Sequence, residues 1–224
     1  MSTAISANST RLNLIFMLYS AMFLVVFLLM IVRSPDGVRT SIESELKHAM
    51  VMLGTEEQHQ LETRTKARFQ SWIYDSGFYP GLYKALEPKR QTEGMAEWQS
   101  KGSFGFLSEG WIWRLLENFQ LYAYQITHRL TLMEFWMLTM LPMMVAVIMT
   151  GYYTWRIKQY QLVAASTTHV RLWLKALWMV LFLFSVYLIT PNIFGYYTIY
   201  APPVLLVLVA LSMSLILSNF SKQA

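Results

Sequence analysis

Four long stretches of the chain are almost purely apolar: Leu12–Val32, Phe135–Tyr153, Trp173–Thr190 and Ala201–Ser218. A bilayer's hydrocarbon core, about 30 Å thick, takes roughly 20 residues of α-helix to cross. Each stretch has that length or comes close to it. The pattern therefore predicts an all-α membrane protein with four transmembrane helices, at 12–32, 133–153, 173–190 and 201–218. A mainly helical extracytoplasmic domain, 33–132, lies between the first two. The tails are then 1–11 and 219–224, and the connectors 154–172 and 191–200. The first stretch is longer than a leader's apolar core and is followed by Val32-Arg33-Ser34-Pro35, with no small-x-small cleavage site, so it reads as a retained anchor.

Between the first two apolar stretches the pattern changes to helical periodicity with polar faces. Ser34-Pro35-Asp36-Gly37 is turn chemistry. A helical run to about Leu53 follows, with the charges Glu43, Glu45 and Lys47 among Ile42, Leu46, Met50 and Leu53, and Gly54 suits its end. Thr55-Glu56-Glu57-Gln58 has the form of a capping box opening a second helix to about Tyr74. Asp75–Gly110 is rich in Gly and Pro, which predicts irregular chain with short helical turns near Leu82–Leu86 and Met95–Trp98. From Trp111 the period returns. Trp111, Leu115, Phe119, Tyr122 and Ile126 share one face, with Arg114, Glu117, Gln125 and His128 on the other. That helix either packs on the extracytoplasmic domain or lies at the membrane surface, where Trp and Tyr are favoured, and it can run on into the second span. Within that span Pro142 removes the hydrogen bond to the Leu138 carbonyl, which predicts a kink. In the fourth span Ala210, Ser214 and Ser218 recur every four residues, a stripe that lets another helix approach closely.

Charge orients the pattern. The chain carries a formal net charge of +5. Segment 33–132 holds 12 basic and 12 acidic residues and is neutral. Outside it lie Arg11, Arg156, Lys158, Arg171, Lys175 and Lys222 against Glu134 alone. The whole excess thus borders the apolar stretches, on the tails and the 154–172 connector. By the positive-inside rule both termini are expected in the cytoplasm of a bacterial inner membrane. Arg156, Lys158, Arg171 and Lys175 are then candidates for contact with cytoplasmic lipid or a partner protein. A basic balance distributed this way points to the bilayer as partner and not to direct nucleic-acid binding.

Composition narrows the chemistry further. Of the residues 55% are hydrophobic, above the soluble norm. Methionine and aromatics are abundant, as is ordinary for lipid-facing helices. No cysteine is present, which excludes disulfides, thiolate catalysis and cysteine metal sites. His48, His59, His128 and His169 show no metal-binding spacing, and neither a nucleophile elbow nor a phosphate-cradling loop occurs. No catalytic, cofactor-binding or metal-ligating residue is expected. Glu134 and Lys175 are the charged residues inside the expected spans, both near span ends. Lys175 can snorkel to the surface. Glu134 lies one turn past His128 and Arg129, near the outer surface, where it can stay hydrated or paired.

From Leu141 onward a set of short motifs adds a further expectation: Leu141-Pro142, Ala146, Gly151, Arg156-Ile157-Lys158, Ser166, Arg171, Pro191, Pro202 and Phe220 to Lys222. In these the chain resembles a family of integral membrane proteins encoded on conjugative plasmids and integrating conjugative elements. Thr150 stands where members often carry an acid. The resemblance implies a non-enzymatic inner-membrane component or accessory of a conjugative DNA transfer system of the type IV secretion kind. Other transfer proteins, such as a coupling ATPase or channel subunits, are then its partners. The alternatives are an exclusion protein that blocks uptake of a related element, and a small transporter or membrane-embedded enzyme.

Overall fold

The structure, a computed structural model, describes residues 2–86, 109–160, 167–190 and 195–220. Among these nearly all are helical and none is in a strand. In chain order the elements are α1 (Ser2–Val32), α2 (Pro35–Leu53), α3 (Thr55–Phe69), a π-helix (Gln70–Asp75), α4 (Phe78–Leu86), α5 (Glu109–Tyr160), α6 (Thr167–Ile189), a 3₁₀-helix (Gly195–Tyr200) and α7 (Ala201–Ser218). The helical turn expected near Met95–Trp98 lies outside the described residues. Three helices are long and apolar enough to cross a membrane, over Arg114–Tyr160, Thr168–Ile189 and Tyr197–Ser218. Met17–Val32 and Pro35–Leu53 pass the same test together, bent by 112° at their break. Counted as one span, that pair makes a fourth.

Local chemistry sets the boundaries. Pro35 opens α2 without needing a hydrogen-bond partner for an amide it lacks. The Ser34 hydroxyl accepts the Gly37 N–H at 3.3 Å, and Asp36 in the first turn suits the positive end of the helix dipole. Gly54 adopts φ +91°, the left-handed region that favours glycine. Its N–H donates to the Met50 carbonyl and its own carbonyl accepts from Gln58 N–H. One residue therefore closes α2 and opens α3, and α3 starts one position before a Thr55 cap would place it. The second helix reaches Asp75 with a widened last stretch, in which Ser76 N–H donates to the Ser71 carbonyl five residues back. The two segments of α5 merge into one helix that contains Pro142.

The chain divides into two compact units, Met1–Glu43 with Thr65–Gln125, and Ser44–Arg64 with Ile126–Ala224. The first unit has Val26, Val38, Ile42, Leu116 and Tyr122 in its core. Aromatic contacts join the end of α3 and α4 to α5: Phe69 meets Tyr124 edge-on at 5.5 Å between ring centres, and Phe78 meets Phe119 at 5.9 Å. Asn118, wholly buried, donates its amide to the Met30 and Arg33 carbonyls at 2.7 and 2.8 Å. It thereby satisfies carbonyls that the end of α1 would otherwise leave without donors. Asn118→Leu keeps the branching of the side chain and strands both carbonyls, so it is expected to cost about 1–3 kcal/mol, read as a lower thermal midpoint of the detergent-solubilised protein.

In the second unit α6 and α7 form an antiparallel hairpin around Val180, Tyr187 and Leu205, with Phe184, Leu188 and Val209 packed against them. Pro202 and Pro203 occupy the first turn of α7, where their missing N–H groups cost nothing. Helix α5 lies parallel to α7 and touches it at Gly151. A Cβ placed there would collide with the Ser214 carbonyl oxygen and stand 2.7 Å from the Ser214 Cα. At the far end Trp155 Nε1 donates to the Phe220 carbonyl at 2.9 Å. Lys158 Nζ donates to the Ser218 carbonyl at 3.0 Å and to Asn219 Oδ1 at 3.2 Å. A cation there complements the negative end of the α7 dipole.

Candidate functional site

Taking an ion out of water costs several kcal/mol even after relaxation, so a buried charge needs a close and well-bonded partner. The second unit buries two ions, Glu45 and Arg129, each only 2% exposed. They face each other in bidentate geometry. Arg129 Nε donates to Glu45 Oε1 at 2.8 Å, and Nη2 to Oε2 at 3.0 Å. The remaining end of the guanidinium turns to α6. There Nη1 donates to the Tyr187 carbonyl and, at 2.6 Å, to the Thr190 carbonyl. The Tyr187 ring lies under the guanidinium at 5.1 Å from its centre.

The fork of Arg129 therefore does two jobs at once. It neutralises a carboxylate from α2, and it caps the C-terminal carbonyls of α6, where a cation is favoured. Lysine could not do both, because its ammonium is a point charge without the planar fork. The second unit also buries the polar residues Gln58, Thr127, His128 and Thr131. Neither ring nitrogen of His128 has a partner among the described residues. No group of three potential metal ligands occurs among those residues. A carboxylate held bidentate and closed off from solvent acts as a joint, here between α2, α5 and α6.

The sequence reading puts Arg129 and His128 beside Glu134 near a surface. The structure instead gives Arg129 a partner 84 residues away. A signal was present in the pattern. The buried stripe of α2 is Val38, Ile42, Glu45 and Ala49, at helical spacing, while Met50 is exposed. A lone acid inside an otherwise apolar stripe asks for a buried cation. On α5 the matching stripe is Tyr122, Gln125, Arg129 and Leu132, all buried. The apolar face expected on α5 from Trp111, Leu115, Phe119, Tyr122 and Ile126 shares Tyr122 with this buried stripe and is rotated from it by about 60°.

The other residues singled out from sequence fall as follows. Tyr122 is in the core of the first unit and Phe119 packs on Phe78 there, while Leu115 and Ile126 are half-buried. The Trp111 side chain lies outside what the structure describes. Pro142 is exposed within α5. Ala210 and Ser218 are buried, and Ser214 meets Gly151. Arg156, Arg171 and Lys175 are exposed. Lys158 is engaged with the end of α7.

No curated protein and no solved structure matches the chain. Residues 32–221 do match a protein family described as IncC plasmid conjugative DNA transfer protein DtrJ-like. The match takes in the 141–222 region that carried the resemblance, save its last residue, together with the polar segment before it. The chain belongs to the DtrJ-like family of IncC plasmid conjugative DNA transfer proteins.

Proposed function

We propose that this DtrJ-like protein is a non-enzymatic inner-membrane component of the transfer machinery and acts by docking other transfer proteins. In this reading both termini are cytoplasmic, four spans anchor the chain, and segment 33–132 faces the periplasm. Family membership supplies the setting. The apolar helices and the bordering positive charge support the anchoring. The observation that carries the docking role is a pair of large side chains in the polar segment that stand open to solvent, Trp72 at 51% and Phe78 at 54% exposure. Water-exposed aromatics outside the apolar stretches have no bilayer to cover them, and Trp is enriched among the residues that dominate protein interfaces. A coupling ATPase or channel subunits are the partners this setting offers.

Trp72→Ala is expected to lower transfer frequency from donor cells by about tenfold or more at unchanged protein level. Crosslinked partners recovered from mating donors should fall in parallel. Normal transfer from donors that lack the gene altogether would remove the proposal. An exclusion role would instead show itself as reduced uptake when only recipients express the protein.

A further inference from the structure

The second unit contains a cavity of about 260 Å³ between α3 and α5. From α3 it is lined by Glu57, Gln60 and Arg64, and from α5 by Glu134, Phe135 and Leu138, among others. Each set sits at helical spacing, so two facing stripes form the walls. The lining is divided by chemistry. Two carboxylates and one guanidinium make it polar and net negative by one. Gln60, Thr131 and Thr139 add neutral polar groups, and Leu61, Phe135 and Leu138 add apolar ones.

Its place along α5 gives this division a meaning. Glu134 is the last charge before the apolar stretch Phe135–Tyr153. Past the cavity, Leu141, Val145 and Met149 continue from Leu138 on one face, and all four are exposed. A charged recess thus opens onto an apolar stripe at the level where a helix enters lipid. An amphiphile with a compact polar head and a long chain fits such a surface, whereas a soluble metabolite would leave the stripe uncovered.

We propose that this recess holds the headgroup of phosphatidylethanolamine, with an acyl chain along Leu138, Leu141 and Val145. The inference rests on the membrane reading given under Proposed function. Charge selects the head. Its phosphate matches Arg64, and its primary ammonium, with three N–H donors, matches the carboxylates of Glu57 and Glu134. Phosphatidylglycerol brings an anion with no cation to a wall with two carboxylates. The trimethylammonium of phosphatidylcholine is bulkier and has no N–H to donate.

The full-length protein is reconstituted with equal amounts of the three phospholipids and first washed with alkaline carbonate. It is then released into mild detergent, and its retained lipid is identified by native mass spectrometry. Phosphatidylethanolamine should be retained about tenfold over phosphatidylglycerol. Glu57→Gln and Arg64→Gln should each erase most of that preference. Both residues are exposed, so the thermal midpoints of these variants should stay close to the parent's. Equal retention of the three lipids, a preference untouched by either variant, or a co-purifying polypeptide seated in place of lipid would each overturn the proposal while leaving the membrane reading intact. Loss of the protein into the carbonate wash would overturn both.

Discussion

Arg129→Met is expected to cost about 3–5 kcal/mol, because it leaves the Glu45 carboxylate buried and alone. The same change removes the donors from the Tyr187 and Thr190 carbonyls at the end of α6. Arg129→Lys should recover only a part of the loss, since an ammonium cannot meet both carboxylate oxygens and both carbonyls. The informative variant is the double substitution, Glu45→Met with Arg129→Met. It removes both charges together, and an apolar pair of similar volume is often no worse than the ion pair it replaces. The double variant should therefore be markedly more stable than either single one. A thermal unfolding series on the four proteins measures this coupling directly. If the single variants melt like the parent, the pair is not the joint described here.

Gly151→Leu is expected to separate α5 from α7. The obstacle at this crossing is backbone, the Ser214 carbonyl oxygen and Cα, which cannot rotate aside as a side chain would. Even Gly151→Ala should cost about 1–3 kcal/mol, as overpacking generally does, and leucine should cost more. Ser214→Ala should be nearly silent, because it leaves the same backbone in contact. The crossing also holds the far ends of the two helices in register, through Trp155 with Phe220 and Lys158 with Ser218. The chain has no cysteine, so Trp155→Cys with Phe220→Cys forms a clean reporter. Its crosslinking by a short bismaleimide should fall in the Gly151→Leu background and persist in Ser214→Ala.

The two sites differ in how far they could be read from the residues in order. The small-residue stripe Ala210, Ser214, Ser218 is visible on α7 because a four-residue period needs no partner to be recognised. That Gly151 is what meets it depends on which of several helices lies alongside, and nothing local decides that. Lys158 reads as a basic residue available to lipid, yet it donates to the Ser218 carbonyl at the α7 terminus. Glu45 and Arg129 are the most telling case. Each looks like one more polar residue of an amphipathic helix, and each becomes legible only as half of a pair.

The order of residues by itself determined the helical class, the apolar stretches and the asymmetric charge around them. These follow from short-range rules: backbone polar groups must be satisfied within a helix when no water is at hand, and apolar side chains must leave water. The tertiary structure decided which face of each helix turns inward, which helix end receives a cap from α5, and where two opposite charges can be buried together. Those outcomes rest on contacts between residues far apart in the chain, whose free energy exists only once both partners are in place.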